Sequence, residues 1–299
     1  MVEDEKGIFV KNLKEGDIIA KFQIYEKRIR KTRMNKDYIE LVMGDKTGIT
    51  TTRLFFEPTD VQTVFKSLSK GDFVKLEGQY SETYKSISVN DLAKISKCNP
   101  NEYSMEDFIC VCDKNLEELF GEIKTTIEAM ENVHLKRLFK EFFDDQTFIK
   151  MFKEAPSAMS VHHNYLGGNL EHTVGVLKLC KTISALYNID EDLLFTGAIL
   201  HDIGKIQTYT FEKSLPTRTN EEKMIGHVII GDRMIHDIIN EKIQDFPGEL
   251  KNQLSHLILS HHGKHEWGSP IPPETPEAIA LHHADLLDSQ VKKSLQIKL

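Results

Sequence analysis

The run Ala198-Ile-Leu-His201-Asp202-Ile-Gly-Lys205 constrains this chain more than any other segment. Its apolar residues mark a buried helical stretch, yet it delivers an imidazole, a carboxylate and then a lysine. Burying such groups unpaired is costly, so they must pair with one another or hold a metal ion. Imidazole and carboxylate are the side chains that bind borderline and hard divalent cations. The same two types recur at His172, His227, His261, His262 and Asp285. Asp285 again sits in an apolar setting, Ala280-Leu-His-His-Ala-Asp-Leu-Leu, where a carboxylate needs a cation. Seven ligand-type residues along one helical stretch imply a fold that turns several helices inward on a shared metal-dependent hydrolytic site.

The rest of the composition is that of a soluble globular protein, with 40% hydrophobic and 28% charged residues in 299. There is no apolar stretch of about eighteen residues, which argues against a membrane span. The start Met-Val-Glu-Asp-Glu-Lys lacks the basic and apolar regions of a secretory signal. Cys98, Cys110, Cys112 and Cys180 do not form a zinc-ribbon spacing and read as reduced thiols of a cytoplasmic protein. Charge is uneven. Residues 1–97 carry 18 Lys+Arg against 15 Asp+Glu, a net of +3, whereas the remainder nets −11. A basic first part on an acidic second part suits a module that handles a polyanion.

The hydrophobic period changes along the chain. Asp17–Lys27, Tyr38–Met43, Ile49–Phe56, Gly71–Gly78 and Tyr84–Val89 read as strands, with Asp45-Lys-Thr-Gly48 as a turn. A short helix is expected over 61–69. Five strands with a helix between the third and fourth is the order of an OB-fold barrel. Residues 98–113 read as a linker, and the pattern is helical from 114 to 299, with helices expected at about 132–153, 170–187, 191–206, 222–242, 247–261 and 275–292. The fold class is therefore multidomain, an all-β OB-fold barrel over 1–97 followed by an all-α domain over 114–299.

The spacing of His172, His201-Asp202 and Asp285 resembles the HD superfamily of metal-dependent phosphohydrolases, and His227 with His261-His262 matches members that bind two metals. Gly167-Gly-Asn-Leu-Glu-His172-Thr, His201-Asp-Ile-Gly-Lys205, Ile225-Gly-His227 and Leu259-Ser-His-His-Gly-Lys-His-Glu-Trp-Gly-Ser-Pro270 resemble the YhaM-type 3′–5′ exoribonucleases, which join an OB-fold to an HD domain. The last of these segments is the most specific. Members of that group run on beyond the last helix, whereas this sequence stops at Leu299.

The resemblance implies a ligand assignment. His172, His201, Asp202 and Asp285 would take a first ion. Asp202 would bridge to a second, held also by His227 and by His261, His262 or both. Such pairs sit roughly 3.5–4 Å apart, activate water for attack on phosphorus and offset phosphoryl charge. The family points to Mn²⁺; Fe²⁺, Co²⁺, Ni²⁺, Mg²⁺ and Zn²⁺ are further candidates for this ligand set. Lys205, three and four residues after Asp202 and His201, falls on their side of a helix and could meet a phosphate oxygen, or be a solvated helix-end lysine. His163, in the loop before His172, could line the cleft or belong to a capping loop. Glu171 could support the ligands or be exposed. Trp267 could stack a base or pack its own loop. His134, His236, His256 and His265 carry no assignment, since a lone histidine on an apolar helix face is more often a satisfied core residue than a ligand.

Lys27, Arg28, Arg30, Lys31, Arg33 and Lys36 fall within ten residues without an intervening acid. They run from the first strand into its connection with the second, which borders the strand-binding face of an OB-fold. Phe22, Tyr25, Tyr38, Phe55, Phe56, Tyr80 and Tyr84 lie nearby, at least half of them expected in the barrel core. A basic groove with aromatic platforms suits sequence-tolerant single-strand binding, so Arg28, Arg30, Lys31 and Arg33 are the candidate contacts to single-stranded RNA, with single-stranded DNA as a further substrate. The competing reading is a phosphohydrolase acting on a small nucleotide or cyclic dinucleotide, with a regulatory OB-like domain. Neither reading calls for a membrane partner, and both leave room for a homo-oligomer.

Overall fold

The computed structural model describes residues 6–109, 112–157, 165–212 and 215–297. They divide into two compact units, Met1–Cys110 with Phe211–Leu215, and Val111–Thr210 with Pro216–Leu299.

The first unit is a closed barrel. Its strands are β1 (Gly16–Lys31), β2 (Asp37–Asp45) and β3 (Gly48–Leu54), then, after helix α1 (Pro58–Ser67), β4 (Phe73–Ser81), β5 (Ser86–Val89) and β6 (Ile95–Lys97). The order β1-β2-β3-β5-β4 closes because β4 returns to pair with β1, and β6 adds to the free edge of β4. Closure depends on the length of β1. Its first half, Gly16–Gln23, pairs with β4, and its second half, through Lys31, pairs with β2, with a register shift between Ile24 and Glu26. Ile18, Ala20, Phe22 and Ile24 alternate into the core with Ile39, Leu41 and Met43 of β2. The five-strand order with a helix after the third strand matches the OB-fold expectation. The helix begins at Pro58 and ends at Ser67, three residues earlier at its start than the expected span. Residues 98–109 pack back on this unit through stacking of Phe73 on Tyr103 and edge contact of Phe73 with Phe108.

The second unit is helical: α2 (Leu116–Ala129), α3 (Val133–Phe143), α4 (Gln146–Glu154), α5 (Gly168–Ser184), α6 (Glu191–Leu200), α7 (Lys205–Thr208), α8 (Asn220–Met224), α9 (His227–Lys242), α10 (Gly248–Ser260) and α11 (Pro276–Ile297). Within residues 114–299 a two-stranded sheet, β7 (Tyr209–Glu212) with β8 (Leu215–Arg218), departs from the all-α expectation for that stretch, and its residues are shared between the two units. Three expected helices are each broken in two. In one, the first helix ends at Phe143 and Asp145 starts a second by accepting the Thr147 amide as its N-cap. Gly226, at φ 84°, breaks the backbone before His227. The turn His201–Gly204 interrupts the third. Two of these breaks fall at ligand-type residues. Among the described residues, no helix is long and apolar enough to cross a membrane.

Candidate metal centre and nucleic-acid interface

The site forms where five helices converge. His172 is in the first turns of α5, His201 caps the carboxyl end of α6 with Asp202 following, His227 opens α9, His261 caps α10 and Asp285 lies on α11. Close approach at one glycine brings α9 in. A Cβ on Gly204 would fall 2.0 Å from the His227 carbonyl oxygen and 2.7 Å from the Gly231 amide nitrogen. Any larger residue would push His227 away from Asp202.

All seven expected ligand residues are brought together, in two adjoining sets. His172, His201 and Asp285 form one, and Asp202, His227, His261 and His262 the other; within each, one ligand-type atom per residue lies within 4.8 Å of the rest. Asp202 faces both. Its Oδ2 is 3.4 Å from His201 Nε2 and 3.7 Å from His172 Nε2, while its Oδ1 is 3.4 Å from His227 Nε2 and 3.8 Å from His261 Nε2.

The histidines are aimed by bonds on their far sides. Nδ1 of His172 donates to Asp288 Oδ2 at 2.7 Å, that of His201 to the Ala198 carbonyl at 2.9 Å, that of His227 to Glu222 Oε1 at 3.1 Å and that of His261 to the Ile258 carbonyl at 2.6 Å. An imidazole held by its Nδ1–H presents Nε2 to the site, which is how protein scaffolds orient metal ligands. The second set then meets a direct test of fit. Asp202 Oδ1, His227 Nε2, His261 Nε2 and His262 Nδ1 are all buried and have no hydrogen-bond partner among the described residues. The Asp202–His227 approach of 3.4 Å is close enough for attraction but lacks hydrogen-bond alignment. Four converging, orphaned donor atoms of the right chemistry fit a divalent cation.

Charge is arranged to the same end. Burial pushes His261 far below the usual imidazole range, helped by His262 and His201, and burial with His227 pushes His262 down to about 4. Both stay neutral, with lone pairs available. Asp202 is held well below the usual carboxylate range; burial opposes this, but Lys205 and His201 outweigh it. Asp285 is likewise held low against burial by its hydrogen bond with His172. Burial opposes a charge on His172 too, yet its bonds with Asp285 and Asp288 raise it to about 10. A pocket that stabilises a proton so strongly also attracts a cation, which would displace it.

Lys205 is not a solvated helix-end residue. It is 8% exposed, and its Nζ lies 2.5 Å from Asp202 Oδ2 and 3.3 Å from Ser157 Oγ. It lines the open cleft above the ligands together with Trp267, Leu286 and Ser289. Glu171 is buried, accepting from Tyr165 Oη, Lys114 Nζ and Lys292 Nζ, which excludes the exposed reading. His163 lies outside the described residues. Asp288 and Glu222 are two supporting residues that sequence reasoning missed. Asp288 sits three residues after Asp285 on one helix face, a legible signal, whereas Glu222 lies across the Gly226 break from His227. Of the four unassigned histidines, His134 meets Phe246, His236 bonds Ser255, His256 accepts the Glu274 amide and His265 bonds the Ser269 carbonyl.

In the barrel, Arg28, Arg30, Lys31 and Arg33 are exposed on the hairpin of β1 and β2. Three of them have carboxylates nearby: Arg28 with Glu26 at 2.5 Å, Arg30 with Glu40 at 3.4 Å and Lys31 with Asp37 at 3.9 Å. Lys27 turns inward instead, donating to the Phe65 and Leu68 carbonyls. Arg30 is the cross-strand partner of Tyr38, which stacks on Phe55 at 5.1 Å between centroids. Both rings are partly exposed, while Phe22 is fully buried.

Residues 169–290 match the HD domain family, a span that holds all seven ligand-type residues. Known proteins similar to the chain include the 3′-5′ exoribonuclease YhaM of Listeria innocua, 33% identical over 284 residues covering 92% of this chain and 86% of that protein. The proteins of the same name from Oceanobacillus iheyensis, 32% identical with coverage of 92% and 85%, and Bacillus velezensis, 33% identical with coverage of 86% and 79%, are also similar. Among solved structures, the mitochondrial single-stranded DNA binding protein Rim1 of S. cerevisiae aligns over 29% of this chain and 97% of its own, at 15% identity and a TM-score of 0.24. On its identity to the three exoribonucleases over most of both lengths, the chain belongs to the YhaM family of 3′-5′ exoribonucleases.

Proposed function

We propose that the chain is a divalent-metal-dependent hydrolase that removes nucleotides one at a time from the 3′ end of single-stranded RNA, and also accepts single-stranded DNA. The observation that carries this reading is Asp202, whose two carboxylate oxygens face two separate sets of aimed imidazoles. His172, His201, Asp202 and Asp285 would hold one ion, and Asp202, His227, His261 and His262 a second, with Mn²⁺ the ion the family resemblance favours. When bound, such a pair supplies Lewis acidity toward the phosphoryl oxygens and a water acidic enough to act as nucleophile.

The chain's own residues do the rest. Asp288 and Glu222 keep His172 and His227 in the tautomer that offers Nε2. Lys205, already charged and buried beside Asp202, brings a positive group to the cleft where a non-bridging phosphate oxygen gathers charge. Arg28, Arg30, Lys31 and Arg33, next to the Tyr38–Phe55 stack, hold the strand by its phosphates and bases; of their carboxylate neighbours Glu26 is exposed and Asp37 and Glu40 are partly buried, and such surface pairs compete weakly. We assign the strand-holding role to residues 1–97 and hydrolysis to residues 114–299. Its action is placed in the cytoplasm, where Cys98, Cys112 and Cys180 stay free thiols.

The test is digestion of a 5′-labelled single strand in the presence of Mn²⁺. Stepwise shortening with release of mononucleotides supports the reading. An intact strand, with turnover of a free or cyclic nucleotide, would replace it with the small-nucleotide phosphohydrolase.

A further inference from the structure

Trp267 is the chain's single tryptophan, and 49% of its surface is exposed. It stands on the wall of the cleft whose floor is His172, Asp202 and Asp285. Its backbone is nonetheless fixed. Trp267 closes a 3₁₀ turn, His265–Trp267, with its amide on the Lys264 carbonyl at 3.0 Å. The Ser269 amide returns to the same carbonyl at 3.1 Å, and the His265 ring bonds the Ser269 carbonyl at 3.0 Å. Ser269 is buried, with Oγ 3.0 Å from the Leu259 carbonyl and 2.7 Å from that of Ile271. An aromatic held in place by its loop yet left half-open to a cleft is a preorganised platform.

The cleft's chemistry defines the occupant. Its floor is ligand-type, with the Lys205 ammonium beside it, and would suit a phosphate once divalent cations are held there. Its wall adds the indole and Leu286, an apolar pair. Lys264 Nζ lies 4.8 Å from the Trp267 ring centroid, so a cation also accompanies the platform. No Asn, Gln, Arg or Glu is among the described lining residues, Ser289 Oγ already donates to Asp285, and His282, whose ring lies 6.1 Å from the indole, has its Nδ1 committed to the His261 carbonyl. A planar group one sugar away from the phosphate fits such a wall by its face rather than its edge.

We infer that Trp267 is the stacking platform for the base of the 3′-terminal nucleotide, and that this subsite accepts any base. The inference rests on the exoribonuclease reading, and its test separates the two. Because Trp267 is the only tryptophan, its fluorescence reports the subsite directly. Adenosine 5′-monophosphate should quench the emission of the intact, metal-loaded chain, and ribose 5-phosphate at the same concentration should not. Trp267→Ala should raise KM for an RNA ending in adenosine roughly 5- to 150-fold, the range of one lost base stack. Trp267→Phe should recover most of that loss, and neither variant should alter KM for an RNA whose terminal nucleotide is abasic. Equal quenching by the two phosphates, or an unchanged KM in Trp267→Ala, overturns the inference. If wild-type protein shortens no RNA, the exoribonuclease reading fails, and the quenching comparison alone still decides whether Trp267 holds a base.

Discussion

Asp288 offers the sharpest test of how the first ligand set is held. Its Oδ2 accepts His172 Nδ1–H at 2.7 Å, and it lies one helical step from Asp285, which meets Nε2 of the same ring at 3.1 Å. Removing the Asp288 carboxylate should free the His172 ring to rotate and make its Nε2 a poorer donor. Losses of this kind cost about 10- to 100-fold in metal affinity, or about 1.4 to 2.8 kcal/mol. Asp288→Ala should therefore weaken one of two metal equivalents by that factor, and Asp288→Asn, which keeps an acceptor but not the charge, by less. Gly175 gives an independent route. A Cβ there would fall 2.4 Å from Asp288 Oδ1 and 3.0 Å from its Cγ, so the carboxylate would have to swing away. In a helix interior Gly→Ala otherwise stabilises by about 1 kcal/mol. Gly175→Ala should thus leave thermal stability of the chelator-stripped protein level or higher while weakening the same equivalent. Calorimetric titration with Mn²⁺, alongside thermal melts, measures both quantities. Wild-type affinity for both equivalents in Asp288→Ala refutes the positioning role, and lost stability in Gly175→Ala would mean the helix, not the carboxylate, gave way.

Three further outcomes are expected. Asp202→Ala should abolish hydrolysis with circular dichroism retained; turnover above a tenth of wild type contradicts a bridging Asp202. His227→Ala should remove one metal equivalent rather than both by elemental analysis after dialysis, since His227 belongs only to the second set; unchanged stoichiometry returns it to a structural histidine. Changing Arg28, Arg30, Lys31 and Arg33 together to Ala should flatten the salt dependence of log affinity for single-stranded RNA by up to about 0.7 for each phosphate these side chains neutralise, without changing hydrolysis of bis-p-nitrophenyl phosphate. Equal losses on both substrates would indicate a damaged fold.

The pieces that were legible share one property: each is local or forced by burial cost. His201-Asp202 and Asp285 stand out because apolar neighbours surround charge, and the central pair is indeed buried, at 0% and 2% exposure. The barrel's strands and the helix after the third are visible in alternation and turn residues. What periodicity does not reveal is a strand with two partners. Nothing in the composition of Gly16–Lys31 says that its halves pair with β4 and β2, and that division is what closes the barrel. The helical breaks at 201–204 and 226 were also hidden. The apolar period runs straight through them, although Gly204 and Gly226 stand at the breaks, and the breaks aim His201, Asp202 and His227 at one point. The orienting partners divide along the same line. Asp288 is readable from its place beside Asp285, whereas Glu222 reaches His227 only because Gly226 turns the chain.

The two ligand sets also differ in how they are balanced without a cation, and that difference follows from their composition. The first contains a full carboxylate, Asp285, against His172, so a proton shared between them leaves the set compensated. Lys205 does the same for the Oδ2 side of Asp202. The second set has three imidazoles against a single carboxylate oxygen, and two of those rings, His261 and His262, are driven neutral by burial and by neighbouring imidazoles. A neutral imidazole whose Nδ1–H is already engaged, as in His261, has no proton to give from Nε2. Such a ring cannot satisfy Asp202 Oδ1 or a neighbouring lone pair. Among the described residues no side chain satisfies these buried atoms, and a divalent cation would. An ion held at the second set would offset the cost of desolvating these atoms. Asp202 joins the two halves, because its Oδ2 faces Lys205 and the first set while its Oδ1 faces the second.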